Sequence, residues 1–138
     1  MNVLLIEPDD AIRAFFRTAL ERDGCRVLAV RDNREALAAA EAVPVNLVVA
    51  QFLDEADASG SADLLASLGA RSPGFKLLAV LSGFRTRATT AASLRRILNP
   101  WRTVDLTQGG HVLIDACRDA ERERQQNQPP VAIHERFL

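Results

Sequence analysis

Short apolar runs along the chain each stop at a polar residue. The runs cover residues 3–6, 45–50, 77–81 and 97–98, and the residues that follow them are Glu7, Gln51, Ser82 and Asn99. Helical patterns alternate with these runs at short intervals, which is typical of repeated βαβ units and a parallel sheet. In such a sheet the carboxyl ends of the strands share one crevice, where ligands bind. We therefore expect these polar side chains to face a common crevice.

The periodicity predicts an α/β fold in which helices cover both faces of one five-stranded parallel sheet. The predicted strands are residues 1–6, 26–30, 45–50 and 76–81, with a short fifth strand that ends at Leu98. The predicted helices are residues 12–20 after a cap at Asp9 or Asp10, 34–42 after a cap at Asp32 or Asn33, and 62–68, 85–94 and 104–122. Residues 54–61 are predicted as an acidic loop.

The last part of the chain is predicted to lie outside the domain. Residues 125–138 form a polar, proline-containing linker followed by a short amphipathic tail. The apolar residues of this tail are Val131, Ile133, Phe137 and Leu138. The predicted domain therefore spans residues 1–124.

Length and composition indicate one ordinary globular domain. The 138 residues include 25% charged side chains with a formal net charge of −1, which gives no bulk attraction to nucleic acid or an anionic membrane. Glu7, Asp9 and Asp10 interrupt the apolar N-terminus, so neither a signal peptide nor a membrane span is predicted. Cys25 and Cys117 lack metal-ligand spacing, which favours a reducing, cytoplasmic location.

Five short segments occur in a specific order and spacing, namely residues 3–7, 9–13, 47–51, 81–83 and 98–101. In this order they resemble the first strand and first acid, the start of the first helix, the third strand, the end of the fourth strand and the Lys-Pro-aromatic turn of one known module. Residues 1–124 thus resemble the receiver domain of bacterial response regulators, the CheY-like module with a flavodoxin-like (βα)5 fold. Receivers transfer a phosphoryl group to their own aspartate. Acidic side chains hold Mg²⁺ for this reaction, and a hydroxyl and a lysine also take part.

The positions that would carry this chemistry are changed in this chain. Gln51 stands at the phosphoacceptor position, and a neutral amide is a very poor nucleophile. Pro8 replaces the second metal-binding acid, which leaves Glu7 as a weak metal candidate. Asn99 replaces the lysine that would meet the phosphoryl charge, and the residues retained in type are Ser82 and Pro100. The resemblance therefore implies a degenerate pseudo-receiver that is not an enzyme and has no cofactor.

A basic cluster follows the fourth predicted strand in an otherwise neutral chain. Its members are Arg85, Arg87, Arg95, Arg96 and Arg102, with Trp101 beside them. We expect the face formed by the last two helices and the fifth strand to bind a protein partner, which is a histidine kinase, another regulator or a second copy of this chain. Aromatic interleaving and a helix-turn-helix signal are absent from the sequence, so direct nucleic-acid binding is not expected.

Two other functions stay open at this point. A phosphoryl-accepting regulator would need a non-standard acid, either Asp54 or Asp9. A small-ligand or nucleotide sensor would use the basic cluster, because arginine side chains suit phosphate groups. The favoured prediction is a phosphorylation-independent receiver-like protein that acts by protein–protein contact in bacterial two-component-type regulation.

Overall fold

Five strands alternate with helices along the chain, as the sequence predicts. The structure, a computed structural model, describes residues 1–52, 55–81 and 88–128. The strands are β1 (Asn2–Ile6), β2 (Arg26–Val30), β3 (Leu47–Gln51), β4 (Lys76–Leu81) and β5 (Arg102–Asp105). The helices are α1 (Asp10–Arg22), α2 (Asn33–Ala42), α3 (Glu55–Gly60), α4 (Ala62–Arg71), α5 (Ala88–Leu98) and α6 (His111–Gln126). A short 3₁₀ turn, Leu106–Gln108, connects β5 to α6.

The strands pair in parallel in one sheet of order β2-β1-β3-β4-β5. Strands β1, β3 and β4 lie inside the sheet and are almost entirely buried, which explains why they are unbroken apolar runs in the sequence. The edge strands β2 and β5 are more exposed. This arrangement confirms the predicted flavodoxin-like α/β fold.

Each inner strand contributes side chains to two separate cores, one on each face of the sheet. On one face, Leu5 of β1 belongs to a core with Leu20 of α1 and Leu113 of α6. On the other face, Leu4 belongs to a core with Leu68 of α4, as do alanines of α2. Because successive side chains of a strand point to opposite faces, a continuous apolar run supplies both cores. The sheet is therefore covered by helices on both sides.

Aspartate caps fix the starts of the first two helices. The Asp9 side chain accepts a hydrogen bond from the backbone N–H of Ile12 at 2.9 Å, and the Asp32 side chain accepts one from Glu35 at 2.9 Å. These contacts satisfy backbone donors that the first turn of a helix leaves without partners. Of the alternative caps that the sequence offers, the structure selects Asp9 for α1 and Asp32 for α2.

The predicted position of the fifth strand is wrong. Ile97 and Leu98 are the last residues of helix α5, and β5 begins only at Arg102. Leu98 is 7% exposed and Ile97 is 45% exposed, so one points into the core and the other away from it. Asn99 then adopts a positive φ of 44°, a left-handed conformation that asparagine tolerates and that commonly ends a helix. The apolar pair therefore ends a helix, and Asn99 followed by proline is a helix stop.

Several smaller boundaries also differ from the prediction. Helix α4 continues through Gly69 to Arg71 rather than ending at Leu68. Residues 55–60 are helical rather than a loop. The last helix begins at His111, because Gly109 has a φ of 111° and breaks the apolar pattern that runs back to Val104. Helix α6 extends to Gln126, so the first residues of the predicted linker are helical. The tail residues Val131, Ile133, Phe137 and Leu138 lie outside the described residues.

Cys25 and Cys117 are both free thiols, although they line one cavity beside Asp23 and Arg118. Burial raises the pKa of the Cys117 thiol to about 12, so this thiol is protonated at neutral pH.

Among the helices of the described residues, none has the length and apolar character needed to cross a bilayer.

The revised end of α5 predicts unequal effects at two neighbouring positions. Leu98→Ala removes a side chain buried in the core and should lower the free energy of unfolding by about 2–5 kcal/mol. Ile97→Ala removes an exposed side chain and should change it by less than about 1 kcal/mol. Urea denaturation followed by circular dichroism measures both. Equal losses at the two positions would contradict the helical assignment.

Candidate functional site

The end of β1 and the end of β3 meet at one edge of the sheet, which we call the carboxyl edge. Ile6 pairs with Ala50, so Glu7 and Gln51, the residues that follow, lie beside each other on neighbouring strands. Adjacent strands are about 4.8 Å apart. The structure therefore brings together two of the residues that the sequence predicts at the crevice.

Glu7 is a buried carboxylate, with 5% of the residue exposed. The backbone N–H of Asp9 donates to its Oε1 at 3.2 Å. The Arg13 guanidinium lies nearby, but its Nη1 donates to the backbone carbonyl oxygen of Glu7, at 2.9 Å. Burial raises the pKa of Glu7 above its ordinary value, although the Asp9 hydrogen bond opposes this shift. A single carboxylate in this setting is a weak ligand for Mg²⁺.

A cavity of about 280 Å³ opens beside Gln51 at the carboxyl edge, and Pro8 forms part of its wall. The cavity is also lined by Arg31, Asp32 and Asn33, which follow β2, and by Ser61, which precedes α4. These polar groups already have partners: Arg31 forms an ion pair with Glu35 at 2.9 Å, and Asn33 Nδ2 donates to Ser61 Oγ at 3.2 Å. Gln51 is half-buried at the end of β3. Its neutral amide can accept and donate hydrogen bonds but offers no anionic nucleophile.

Asp105 is a residue at the carboxyl edge that the sequence analysis missed. It is the last residue of β5 and pairs with Leu81 at the end of β4. Its Oδ1 accepts hydrogen bonds from the backbone N–H and the hydroxyl of Thr107, at 2.9 and 2.8 Å. The signal that could have found it is the step from apolar Val104 to an acid, the same pattern that ends β1. The end of the fifth strand therefore carries a carboxylate, at the position where the resemblance expects a lysine.

Asn99 and Pro100 do not belong to this crevice. They precede β5, and the backbone N–H of Trp101 donates to the carbonyl oxygen of Leu77, near the beginning of β4, at 2.9 Å. Both residues therefore lie at the opposite edge of the sheet, the amino edge. The match of residues 98–101 to the Lys-Pro-aromatic turn is wrong, because that turn would have to follow the fifth strand.

Several predicted residues lie outside the part of the chain that the structure describes. These are Asp54, Ser82, Arg85 and Arg87. Their predicted roles stay predictions.

The described members of the basic cluster lie on a face formed by α5, β5 and α6, which we call the α5-β5-α6 face. Arg102 Nη1 contacts Asp119 Oδ2 at 2.6 Å, and its guanidinium lies 4.3 Å from the ring centre of Trp101. Trp101 Nε1 in turn donates to Glu123 Oε2 at 2.9 Å. These contacts hold the start of β5 against α6. The sequence analysis missed both acidic partners, because α6 places them opposite β5 only in three dimensions.

Arg95 and Arg96 are exposed near the end of α5. Arg95 Nη2 donates to the Thr103 hydroxyl at 3.4 Å, and Arg96 Nη2 donates to the Ser93 hydroxyl at 3.2 Å. Both hydrogen bonds leave the positive charges facing solvent. This part of the α5-β5-α6 face is therefore suited to an acidic surface.

Comparison with known proteins gives the fold. No protein-family model matches the sequence, and no curated protein is similar to it. The structure is similar to the chemotaxis protein CheY4 of Vibrio cholerae, with a TM-score of 0.69 and 15% identity over 86% of this chain and 97% of that chain. It is also similar to a CheY-like response regulator receiver domain from Methanospirillum hungatei JF-1, with a TM-score of 0.72 and 19% identity over 92% and 98% of the two chains.

A further similar structure is one chain of the complex between the histidine kinase ThkA and the response regulator protein TrrA. The TM-score is 0.62, with 12% identity over 86% of this chain and 97% of the matched chain. Together with the sheet order and the two-sided helical cover, these likenesses define the class: the chain has the fold of a CheY-like response-regulator receiver domain.

Burial of Glu7 predicts a pH-dependent effect of Glu7→Gln. A carboxyl group whose pKa is raised in the folded state destabilises the fold when it is ionised, that is, above its ordinary value of 4.5. The variant should therefore unfold at a higher temperature than the wild type at pH 7, because its amide keeps an acceptor for Asp9 without a buried charge. This advantage should shrink as the pH falls toward 4.5, where the wild-type carboxyl group becomes protonated.

Glu41→Gln is the matched control for this measurement, because the Glu41 side chain is 63% exposed. Thermal unfolding of both variants from pH 4.5 to 8 should show a change at position 7 only. A Glu7→Gln variant less stable than the wild type at pH 7 would show that the ionised carboxylate is stabilised by its surroundings.

Proposed function

We propose that this chain is a pseudo-receiver, a receiver-like domain that signals without being phosphorylated. It acts by protein–protein contact in bacterial two-component-type regulation, in the cytoplasm, and it catalyses no reaction of its own. The observation that carries this proposal is the neutral Gln51 at the end of β3, beside a single buried carboxylate at Glu7.

The charges at the carboxyl edge support the proposal. Transfer of a phosphoryl group needs a carboxylate to accept it and cations to offset the charge on its oxygens. Here the acceptor position is an amide, and the last strand ends in Asp105 rather than a cation. Pro8, next to Glu7, supplies no second carboxylate for a metal ion. Each of these residues disfavours a bound phosphoryl group.

The two non-standard acceptors receive little support from the described residues. Asp9 is occupied as the cap of α1, through its hydrogen bond to Ile12. Asp54 lies outside the described residues and stays an alternative. The ligand-sensor alternative is weakened because Arg102, a member of the basic cluster, is already paired with Asp119.

The partner-binding surface in this proposal is the α5-β5-α6 face. Within residues 1–52, 55–81 and 88–128, β5 is an edge strand, so one side of its backbone has no neighbouring strand among these residues. Ile97 follows Arg95 and Arg96 in α5, is 45% exposed and adds an apolar contact. A partner with an acidic surface fits this face, and the candidates are a histidine kinase, another regulator or a second copy of the chain.

The first test is phosphorylation. We expect no gain of a phosphoryl group, measured by intact-protein mass spectrometry, when the purified chain is incubated with Mg²⁺ and acetyl phosphate. We also expect the amide NMR signals of Glu7 and Gln51 to stay unchanged when Mg²⁺ and then beryllofluoride, a phosphoryl mimic, are added. Labelling of the wild type would contradict the proposal, and its loss in Asp54→Asn or Asp9→Asn would identify the acceptor.

A restoration experiment tests whether the residues named here cause the loss. Gln51→Asp alone should remain unlabelled, because the metal site and the cation are still missing. Gln51→Asp combined with Pro8→Asp and Asp105→Lys should accept a phosphoryl group from acetyl phosphate in the presence of Mg²⁺. Labelling of the single variant at the rate of the triple variant would show that Pro8 and Asp105 do not matter.

The partner-binding face is tested by site-specific photo-crosslinking. A photoreactive phenylalanine analogue at Ile97 should capture a protein partner in the cells that produce this chain. The same analogue at Leu37, which is 37% exposed on α2, should capture none and is the matched control. Crosslinking at Phe15, which is 67% exposed on α1, in place of Ile97 would move the binding face to α1.

A further inference from the structure

The amino edge of the sheet carries a groove that meets the α5-β5-α6 face at Trp101. The groove has a volume of about 270 Å³. It lies between α4, the beginning of β4 and the end of α5, and its lining residues are Leu65, Phe75, Lys76, Leu77, Leu98, Asn99 and Trp101. We call it the amino-edge groove.

The groove wall consists of five apolar residues together with Lys76 and Asn99. Leu65 and Phe75 are partly buried and pack against one core, and Trp101 packs against the other. Lys76 and Asn99 supply the polar groups. A volume of this size is below the range of about 300–1,000 Å³ that is typical of small-molecule pockets, and it suits one or two large apolar side chains.

Helix α6 ends next to the groove. Its residue Glu123 accepts a hydrogen bond from Trp101 Nε1 at 2.9 Å and lies 3.7 Å from Lys76 Nζ. Both of these partners line the groove. From Glu123 to Gln128 the chain advances about 12 Å at most, at the rises of a helix and an extended chain. Counting the length of the Glu123 side chain, the Cα atom of Gln128, the last described residue, therefore lies within about 20 Å of the groove wall.

Residues 129–138 include several large apolar residues of the kind that could fill the groove. Two prolines are followed by Val131 and Ile133, and later by Phe137 and Leu138. A fully extended segment of this length reaches about 33 Å, which is more than the distance to the groove. Tethering raises the local concentration of such a segment to the millimolar range. A free protein partner would have to compete with that concentration for a site too small for an ordinary interface.

We propose that the apolar residues of the segment 129–138 occupy the amino-edge groove of the same molecule and cover Trp101. The tail is the favoured occupant because it begins near the groove, the groove has room for one or two large side chains, and the tail carries apolar ones. The groove lies at the opposite edge of the sheet from Gln51, so this proposal stands or falls independently of phosphorylation.

Trp101 provides a direct readout, because it is the single tryptophan of a chain that has no tyrosine. The experiment uses the full chain and compares two pairs of substitutions, Val131→Ser with Ile133→Ser, and Phe137→Ser with Leu138→Ser. Removing two apolar anchors takes away enough buried area to leave only a small fraction of molecules docked. We expect at least one pair to increase acrylamide quenching of Trp101 about twofold and to shift its emission to longer wavelength.

His134→Ser with Glu135→Ser is the matched control, because it changes polar residues between the two apolar pairs. It should leave quenching at the wild-type value. Circular dichroism on each variant verifies that the domain is folded, so that greater quenching reports exposure of the groove rather than unfolding.

Two results would overturn the proposal. Unchanged quenching in both apolar pairs would show that the tail does not cover Trp101. Quenching of the wild type that rises on dilution would show that the tail of a second copy, rather than the chain's own tail, covers the groove.

Discussion

The parallel pairing of β1 between β2 and β3 is the constraint on which the rest of the structure depends. Parallel strands all end at the same edge, so the pairing decides which residues meet there. It also requires helices on both faces, because each inner strand is apolar on both sides. Once the order β2-β1-β3-β4-β5 is set, Glu7, Gln51 and Asp105 share one edge, and Asn99 is excluded from it.

The residues at the carboxyl edge form a consistent electrostatic set. Glu7 is buried and is held by the backbone of Asp9, and its neighbour across the strand is uncharged. A second buried carboxylate beside it would raise the energy of both ions in the absence of a metal. The uncharged side chains of Gln51 and Pro8 add no like charge beside the buried carboxylate of Glu7. Asp105 is compatible with this edge because its charge is stabilised by Thr107.

The amino edge has a different character. Asn99 ends α5 in a left-handed conformation and turns the chain into Trp101 and β5. Trp101 is held between Arg102 and Glu123. These contacts connect the last strand to the last helix, and they place the single tryptophan of the sequence beside the amino-edge groove. The two edges of the sheet therefore offer separate surfaces.

The sequence by itself determined the first four strands, the presence of an acidic or amide cap before each of the first two helices, the two-sided cover of the sheet and the expectation that Glu7 and Gln51 share one edge. These features follow from local periodicity and capping, which depend on residues close to each other in the sequence. Only the tertiary structure decided the position of β5, the role of Asp105 and the contacts of Arg102 and Trp101 with α6. The physical reason is that β5 is a four-residue edge strand, whose hydrophobic signal is weaker than that of the helix end at Leu98. Its place depends on hydrogen bonds to β4 and on side chains from α6, which are distant in the sequence.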